Sequence, residues 1–187
     1  KIDGGILPKE DLPKETSKTL EKLLLQGKAP AKIENLERMI IGFFRNAEAE
    51  ELKEYYAVTE GAENRIIAAA KTATSIEDFY EKVKTKRYTM ATVRRMIIAP
   101  FLGIKKEEPT IPFLRVLAFN SRGAEIMKNV KKSSGLPLIT NFTPELAAVP
   151  EFAEQIALER RATDIFSLAT PVIGSAFSDY TEKITMI

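Results

Sequence analysis

The stretch IENLERMIIGFF, residues 33–44, carries the clearest helical pattern in the chain. Its apolar residues recur at spacings of three and four, which places them on one face of an amphipathic helix. The pattern continues on both sides: an earlier helix is predicted to stop at Gly27, and later helices are predicted over 48–55 and 60–71. The N-terminal half of the sequence therefore predicts a bundle of helices.

Two more helices are predicted to complete this bundle. Ser75 is followed three residues later by Asp78, a spacing that fits a capping box at a helix start. Another helix is predicted from Thr89 to about residue 102. Proline has no backbone donor, so we expect Pro100 to kink or end this helix near Ala99.

Beyond Pro109 the pattern changes from helical to mixed. FLRVLAF, residues 113–119, is rich in strand formers, Asn120 can cap a following helix, and LPLIT, residues 136–140, offers a second strand. A strand, a helix and a strand at this spacing predict a right-handed crossover between parallel strands.

The predicted fold class is α+β and predominantly helical, with an N-terminal helical bundle and a small C-terminal strand-helix-strand unit. Residues 1–13 hold two glycines and two prolines and are predicted to be a linker from a missing preceding domain. Residues 14–108 are predicted to be a helical RNA-binding region, and residues 109–187 a small α/β region packed on it. The tail from Pro171 is predicted to be loop or a short edge strand. The first residue is Lys1 rather than Met, which also favours an origin in a longer chain.

Composition excludes several classes of function. The 187 residues are 44% hydrophobic, which is enough for a sizeable core, and they include no Cys and no His. Disulfides, zinc sites of thiolates or imidazoles, and imidazole bases are therefore excluded. Glycine-rich phosphate loops are also missing from the sequence. We expect no catalytic residue and no metal site in this segment. No apolar run reaches about 18 residues, so we expect a cytoplasmic chain without a membrane partner.

Positive charge is concentrated between Lys82 and Lys106, where eight Lys and Arg residues occur without one Asp or Glu. The whole chain carries +2, so the remainder carries −6. The run KTKRYT places cations directly before the helix start at Thr89, where free N–H groups are already electropositive. Such repulsion costs about 0.3–1 kcal/mol per charge, and a polyanion would relieve it. We call residues 82–106 the basic segment.

The basic segment supplies the predicted RNA-binding residues. Winding the helix at 100° per residue puts Arg95 on a narrow solvent strip with Thr92 and Ala99. The same winding leaves Arg94 open to two interpretations, a buried arginine paired with a carboxylate or an RNA contact. Tyr88 can stack on an unpaired base or simply pack. The full predicted set is Lys84, Lys86, Arg87, Tyr88, Arg94, Arg95, Lys105 and Lys106.

Four stretches of the sequence together resemble a known bacterial family. They are VTEGAENRI at 58–66, KTKRYTMATVRRMII at 84–98, FLRVLAFNSRGAEIMK at 113–128 and RATDIFSL at 161–168. In order and spacing they resemble the C-terminal part of the tRNA(Met) cytidine acetate ligases. The resemblance spans most of the chain.

The resemblance implies an enzyme that forms acetyl-adenylate from ATP and acetate and then acetylates the wobble cytidine of elongator tRNA(Met). It implies that ATP, with Mg, binds an N-terminal nucleotidyltransferase domain of the HIGH superfamily. We expect that domain to be missing here and to be a partner of this segment. The segment is then expected to hold no cofactor, to be inactive alone and to bind tRNA. The alternative is a non-catalytic docking module whose basic patch contacts an acidic protein surface.

Overall fold

The computed structural model describes residues 12–59, 61–106 and 111–187. The fold is α+β, and 60% of the described residues are helical, which confirms the predicted class. Most of the predicted linker, residues 1–11, lies outside the described residues.

The chain divides into two compact units. The first comprises the described residues up to 106 together with Ile165–Ser175, and the second comprises residues 111–164 together with Ala176–Ile187. The predicted region 109–187 thus differs from the second unit, because Ile165–Ser175 groups with the first. Buried Ala169 explains this, since its carbonyl accepts hydrogen bonds from the Lys32 N–H and the Asn35 side chain.

The first unit is built from six helices and a short 3-10 turn within the described residues. Their bounds are α1 Lys14–Leu25, the 3-10 turn Ile33–Leu36, α2 Glu37–Asn46, α3 Ala49–Leu52, α4 Ala62–Thr72, α5 Ile76–Val83 and α6 Met90–Leu102. The predicted stop of the first helix is confirmed, since Gly27 follows α1 with a left-handed φ of 67°.

The core of this unit lies between α2, α4, α5 and α6. Phe44, Ile66, Phe79 and Met96 are fully buried there, and the rings of Phe44 and Phe79 meet edge to face with centroids 5.5 Å apart. Each buried side chain of this size contributes about 1.5–3 kcal/mol. The apolar face predicted over residues 33–44 therefore forms one wall of this core.

Side-chain caps begin α5 and α6, which confirms the predicted cap at Ser75 and the predicted helix start at Thr89. Ser75 Oγ accepts a hydrogen bond from the Asp78 N–H, and Thr89 Oγ1 accepts one from the Thr92 N–H. The Asp78 carboxylate reaches one residue further back than a capping box requires and accepts from the Thr74 N–H at 3.0 Å. The caps set where the segment between α5 and α6 starts and ends.

One predicted helix bound in this unit is wrong, whereas the predicted end of α6 near residue 102 is confirmed. The predicted helix over 48–55 ends at Leu52, because the backbone beyond it pairs elsewhere, with the Tyr56 N–H donating to the Ile104 carbonyl. Pro100 does not end α6, which runs on to Leu102 and closes at Gly103 with a left-handed φ of 79°. Pro100 lies within the last turn, where few backbone bonds remain to be lost.

The second unit contains short strands and helices. Their bounds are β1 Leu114–Arg115, β2 Ala118–Phe119, α7 Ser121–Ser133, β3 Leu138–Ile139, α8 Pro144–Ala147, α9 Pro150–Ala169, α10 Ser178–Thr181 and β4 Thr185–Met186. The last residues of α9 belong to the first unit.

Parallel pairing in the second unit is confirmed, but the strands are shorter than predicted. β1 pairs with β3 across α7, so the predicted crossover exists. FLRVLAF does not form one strand, because β2 pairs with β4 in a separate sheet. The tail supplies β4, as an edge strand, and also the unpredicted α10.

A smaller core holds the second unit together. Phe113, Ile139, Phe142 and Ile156 are buried in it, and the Phe113 and Phe142 rings meet edge to face. Across the described ranges, no helix is both long and apolar enough to cross a membrane.

Candidate nucleic-acid interface

The loop between α5 and α6 presents the first cations of the basic segment. Thr85 and Tyr88 form an isolated antiparallel bridge, and the Arg87 N–H donates to Thr85 Oγ1 at 3.1 Å. Lys86 and Arg87 therefore lie at the tip of a tight turn, and both side chains are exposed. A turn fixed by its own hydrogen bonds loses little conformational entropy when it binds a ligand.

Arg65, on α4, fixes the start of this turn. Its Nε donates to the Val83 carbonyl at 2.8 Å and its Nη2 to the Lys84 carbonyl at 2.9 Å. These carbonyls end α5, where helix acceptors lack partners of their own. The charge and residue patterns did not single out Arg65. Only its place in the VTEGAENRI stretch could have drawn attention to it.

Tyr88 anchors the other end of the turn. Its hydroxyl lies 2.8 Å from Thr59 Oγ1, and the Arg87 guanidinium sits 5.6 Å from the centre of its ring. The ring is half-buried and packs against the core of the first unit. Tyr88 thus holds the turn against the segment that leads into α4.

The two arginines of α6 both reach solvent. Arg94 is exposed, with its guanidinium 5.8 Å from the centre of the Tyr80 ring, so the buried alternative is wrong. Burial raises the pKa of Tyr80, and the nearby Arg94 charge opposes this rise. Arg95 is exposed as predicted, whereas Ala99, which we placed on the solvent strip, is buried.

The cations of the basic segment fall into two groups. Lys82 is bonded to Asp78 at 2.6 Å, and Lys84 lies 3.4 Å from Glu81. The other six form no ion pair with any described residue. These unpaired cations are Lys86, Arg87, Arg94, Arg95, Lys105 and Lys106.

Lys105 and Lys106 are positioned by backbone pairing. Lys105 forms a bridge with Tyr55, and the Lys106 N–H donates to the Glu54 carbonyl at 2.9 Å. Lys106 and Thr59 line the same pocket, and Thr59 contacts Tyr88. Lys106 and the turn at 85–88 are therefore neighbours through Thr59. Among the described residues no group of acidic side chains is placed to hold a metal ion.

An exposed surface on which six cations lack a described carboxylate partner suits an anionic polymer. A family model described as HIGH Nucleotidyl Transferase matches residues 7–179. The chain belongs to the HIGH nucleotidyltransferase family.

Relatives of this family member are tRNA(Met) cytidine acetate ligases. The Thermosipho melanesiensis protein is 34% identical over 136 residues, and the match covers 70% of this chain and 32% of that protein. The Acetivibrio thermocellus protein is 26% identical over 186 residues, and the match covers 94% of this chain and 45% of that protein. The chain thus spans less than half of the length of these relatives.

Solved structures of Thermotoga maritima TmcAL share the fold. The apo form I crystal structure superposes with a TM-score of 0.85 at 26% identity, over 94% of this chain and 46% of that one. The form II crystal structure, bound with alpha-thio ATP, superposes with a TM-score of 0.83 over 94% of this chain and 47% of that one.

These matches correct the predictions that depend on a missing nucleotidyltransferase domain. We placed the nucleotidyltransferase part, and ATP with it, in a domain missing from this segment, and expected no cofactor here. That is wrong, because the nucleotidyltransferase family match falls on residues 7–179 and the chain resembles a structure bound with an ATP analogue. The reason we gave for expecting an inactive segment, the absence of that domain, is therefore also wrong. Nothing in the matches supports a separate N-terminal domain as a partner.

Proposed function

We propose that this chain is part of an ATP-dependent ligase that acetylates the wobble cytidine of elongator tRNA(Met), and that its basic segment binds the tRNA. The observation that carries the tRNA-binding role is the group of six exposed cations without a described carboxylate partner. The names of the relatives support tRNA(Met) as the substrate.

The charge distribution gives this proposal its physical basis. Lysines and arginines on a surface normally find acidic neighbours, and exposed pairs contribute at most about 1 kcal/mol. Here Lys86 and Arg87 stand on a turn that precedes an electropositive helix start, with no acidic residue in the first turn of α6. Phosphates neutralise such cations and release counterions from the RNA.

The proposed reaction has two steps. The acetate carboxylate attacks the α-phosphorus of ATP and displaces pyrophosphate, which gives acetyl-adenylate. The exocyclic amine of cytidine then attacks the acetyl carbonyl, loses a proton and displaces AMP. The role we give to the basic segment is to hold the tRNA backbone, through Lys84, Lys86, Arg87, Arg94, Arg95, Lys105 and Lys106.

The salt dependence of tRNA binding tests this role. If three to five phosphates are neutralised, the logarithm of the association constant should fall with the logarithm of salt concentration with a slope of about −2 to −4. Photo-crosslinking of bound elongator tRNA(Met) should mark residues 84–106. A slope near zero, or crosslinks that avoid this segment, would contradict the proposal and favour a protein-docking role.

A further inference from the structure

A pocket of about 490 Å³ lies at the start of α4 in the first unit. Its walls are Lys53, Val58, Thr59, Gly61, Glu63 and Lys106. The volume is within the range of small-ligand sites, about 300–1,000 Å³. The pocket wall at Thr59 contacts Tyr88, which joins the pocket to the turn that carries Lys86 and Arg87.

Glu63, one of the residues that line the pocket, carries an unsatisfied acceptor. The residue is only 4% exposed, and its Oε2 is buried without a hydrogen-bond partner among the described residues. Oε1 has one long hydrogen bond, from Asn64 Nδ2 at 3.4 Å. A buried carboxylate without donors is unfavourable for folding. Glu63 therefore requires a donor that the described protein does not supply.

The same pocket wall also has features that favour the binding of an anion. Gly61 precedes α4 with a left-handed φ of 84° and has no side chain to cap the helix, which is eleven residues long. The Ala62 N–H is taken up by the Thr59 carbonyl at 2.9 Å, but the positive end of the helix dipole still favours a negative group there. Lys106 adds a positive charge that no described carboxylate pairs with, whereas Lys53 is already bonded to Glu50.

We propose that this pocket holds one nucleotide of the bound RNA. Its phosphate lies at Lys106 and the start of α4, and an N–H or O–H of its base or ribose donates to Glu63 Oε2. A nucleotide is the ligand class that combines an anionic group with donors a few ångströms away. The inference rests on the proposed tRNA-binding role, because it takes the nucleotide from tRNA held by the neighbouring turn.

The variant Glu63→Gln tests the acceptor, with Glu77→Gln, at an exposed position of α5, as the matched loss of one negative charge. Loss of a charge-assisted hydrogen bond should weaken tRNA binding by about tenfold and leave the salt slope unchanged. The melting temperature should stay the same or rise, because a buried charge is removed. If Glu63 lay near the phosphates without accepting a hydrogen bond, its negative charge would instead repel them. Unchanged or tighter binding by Glu63→Gln would therefore overturn the pocket proposal.

The variant Lys106→Ala tests the phosphate end, with exposed Lys71→Ala at the far end of α4 as its control. Removal of one phosphate contact should make the salt slope less negative by about 0.7–0.9, and Lys71→Ala should leave it unchanged. Equal slopes in both variants would overturn the assignment of the phosphate.

Free ligands distinguish the possible sources of the nucleotide. Cytidine 5′-monophosphate at millimolar concentration should shift the amide NMR signals of residues 61–64, and Glu63→Gln should weaken its binding. Inorganic phosphate that binds as well as the nucleotide would reduce the pocket to an anion site and overturn the proposal. Weaker binding of the mononucleotide or of ATP to Glu63→Gln, with unchanged tRNA affinity, would assign the pocket to a free nucleotide instead of RNA.

The wild-type chain separates this inference from the proposed function. If it shows no salt-dependent tRNA binding, the proposed function fails. If it binds tRNA with the expected slope while Glu63→Gln and Glu77→Gln behave alike, only the pocket proposal fails.

Discussion

Arg115 in the second unit and Arg87 in the first show two opposite uses of a guanidinium group. Arg115 donates to Glu159 at 2.8 Å and to Asp179, and it lies 4.2 Å from the centre of the Phe142 ring. Arg87 is exposed on a turn and has no described carboxylate partner. A cation that stabilises the fold is enclosed and neutralised, whereas one available to a ligand is presented and left unpaired.

The pKa of Arg115 reflects this enclosure. Burial on its own would lower the pKa, but the hydrogen bonds to Asp179 and Glu159 outweigh burial and raise it above its usual value. The guanidinium is therefore charged at all accessible pH values. It acts as a permanent link between β1, α9 and α10 within the second unit.

Removal of that link is the largest expected effect. Arg115→Ala should destabilise the chain by about 3 kcal/mol, because two partly buried carboxylates lose their counter-charge. Urea unfolding followed by circular dichroism measures this, with exposed Arg122→Ala as a control that should change stability by less than about 0.5 kcal/mol. Similar losses in the two variants would show that the enclosed network is not what distinguishes Arg115.

Arg65 is an intermediate case between the two uses, since it is exposed but bonded to the Val83 and Lys84 carbonyls. Arg65→Ala should lower the free energy of unfolding by about 2 kcal/mol, because two hydrogen bonds from a charged donor are lost. Because these bonds fix the turn, tRNA binding should also weaken, by about threefold. Urea unfolding and filter binding measure the two effects.

The control for Arg65 is Arg38→Ala, an exposed arginine on α2 in the same unit. Arg38→Ala should leave both the free energy of unfolding and the tRNA affinity nearly unchanged. Weaker stability without weaker tRNA binding in Arg65→Ala would mean that the turn does not need to be held in place to bind RNA.

Local patterns explain how much of this structure could be predicted. The starts of α5 and α6 depend on Ser75 and Thr89 bonding to residues three positions away, so the sequence contains the whole interaction. The length of β2 depends on pairing with Thr185 and Met186, far along the chain. Periodicity cannot report such a partner, and FLRVLAF was therefore predicted as one strand.

In the candidate site too, local features could be predicted from the sequence, whereas contacts between distant residues could not. The acid-free run between Lys82 and Lys106 is visible in the sequence, and so are the cations that it presents. The Arg65 clamp and the Thr59–Tyr88 contact join residues 18 to 29 positions apart and required the structure. Sequence alone also could not decide between the two roles of Arg94, because its exposure depends on how α6 packs against α5.

Charge reversal at the turn is the next smaller expected effect. The double variant Lys86→Glu with Arg87→Glu should weaken tRNA binding by about tenfold or more and make the salt slope less negative by about 1.4–1.8. Its stability should be unchanged or slightly higher, because acidic groups near a helix start are favourable. Lys131→Glu with Lys132→Glu, on exposed positions of α7, is the matched control. Equal weakening in both doubles would mean that total charge, and not the turn, determines binding.

The smallest expected effect concerns a cation that is already paired. The hydrogen bond from Lys82, then that from the Thr74 N–H, holds the pKa of Asp78 below its usual value of 3.8. A carboxyl group whose pKa is lower in the folded state stabilises the fold above the unfolded pKa. This contribution is then lost as the pH falls through the folded pKa. The melting temperature should therefore fall less between pH 5 and pH 2.5 for Asp78→Asn than for the wild type.

tRNA affinity at neutral pH should be nearly the same in Asp78→Asn and the wild type, because Lys82 lies outside the group of unpaired cations. Stronger tRNA binding by Asp78→Asn would mean that its ion pair withholds a phosphate-binding group from the RNA. The distinction between paired and presented cations would then be one of degree, and the protein could adjust the RNA-binding surface by forming or breaking a single ion pair.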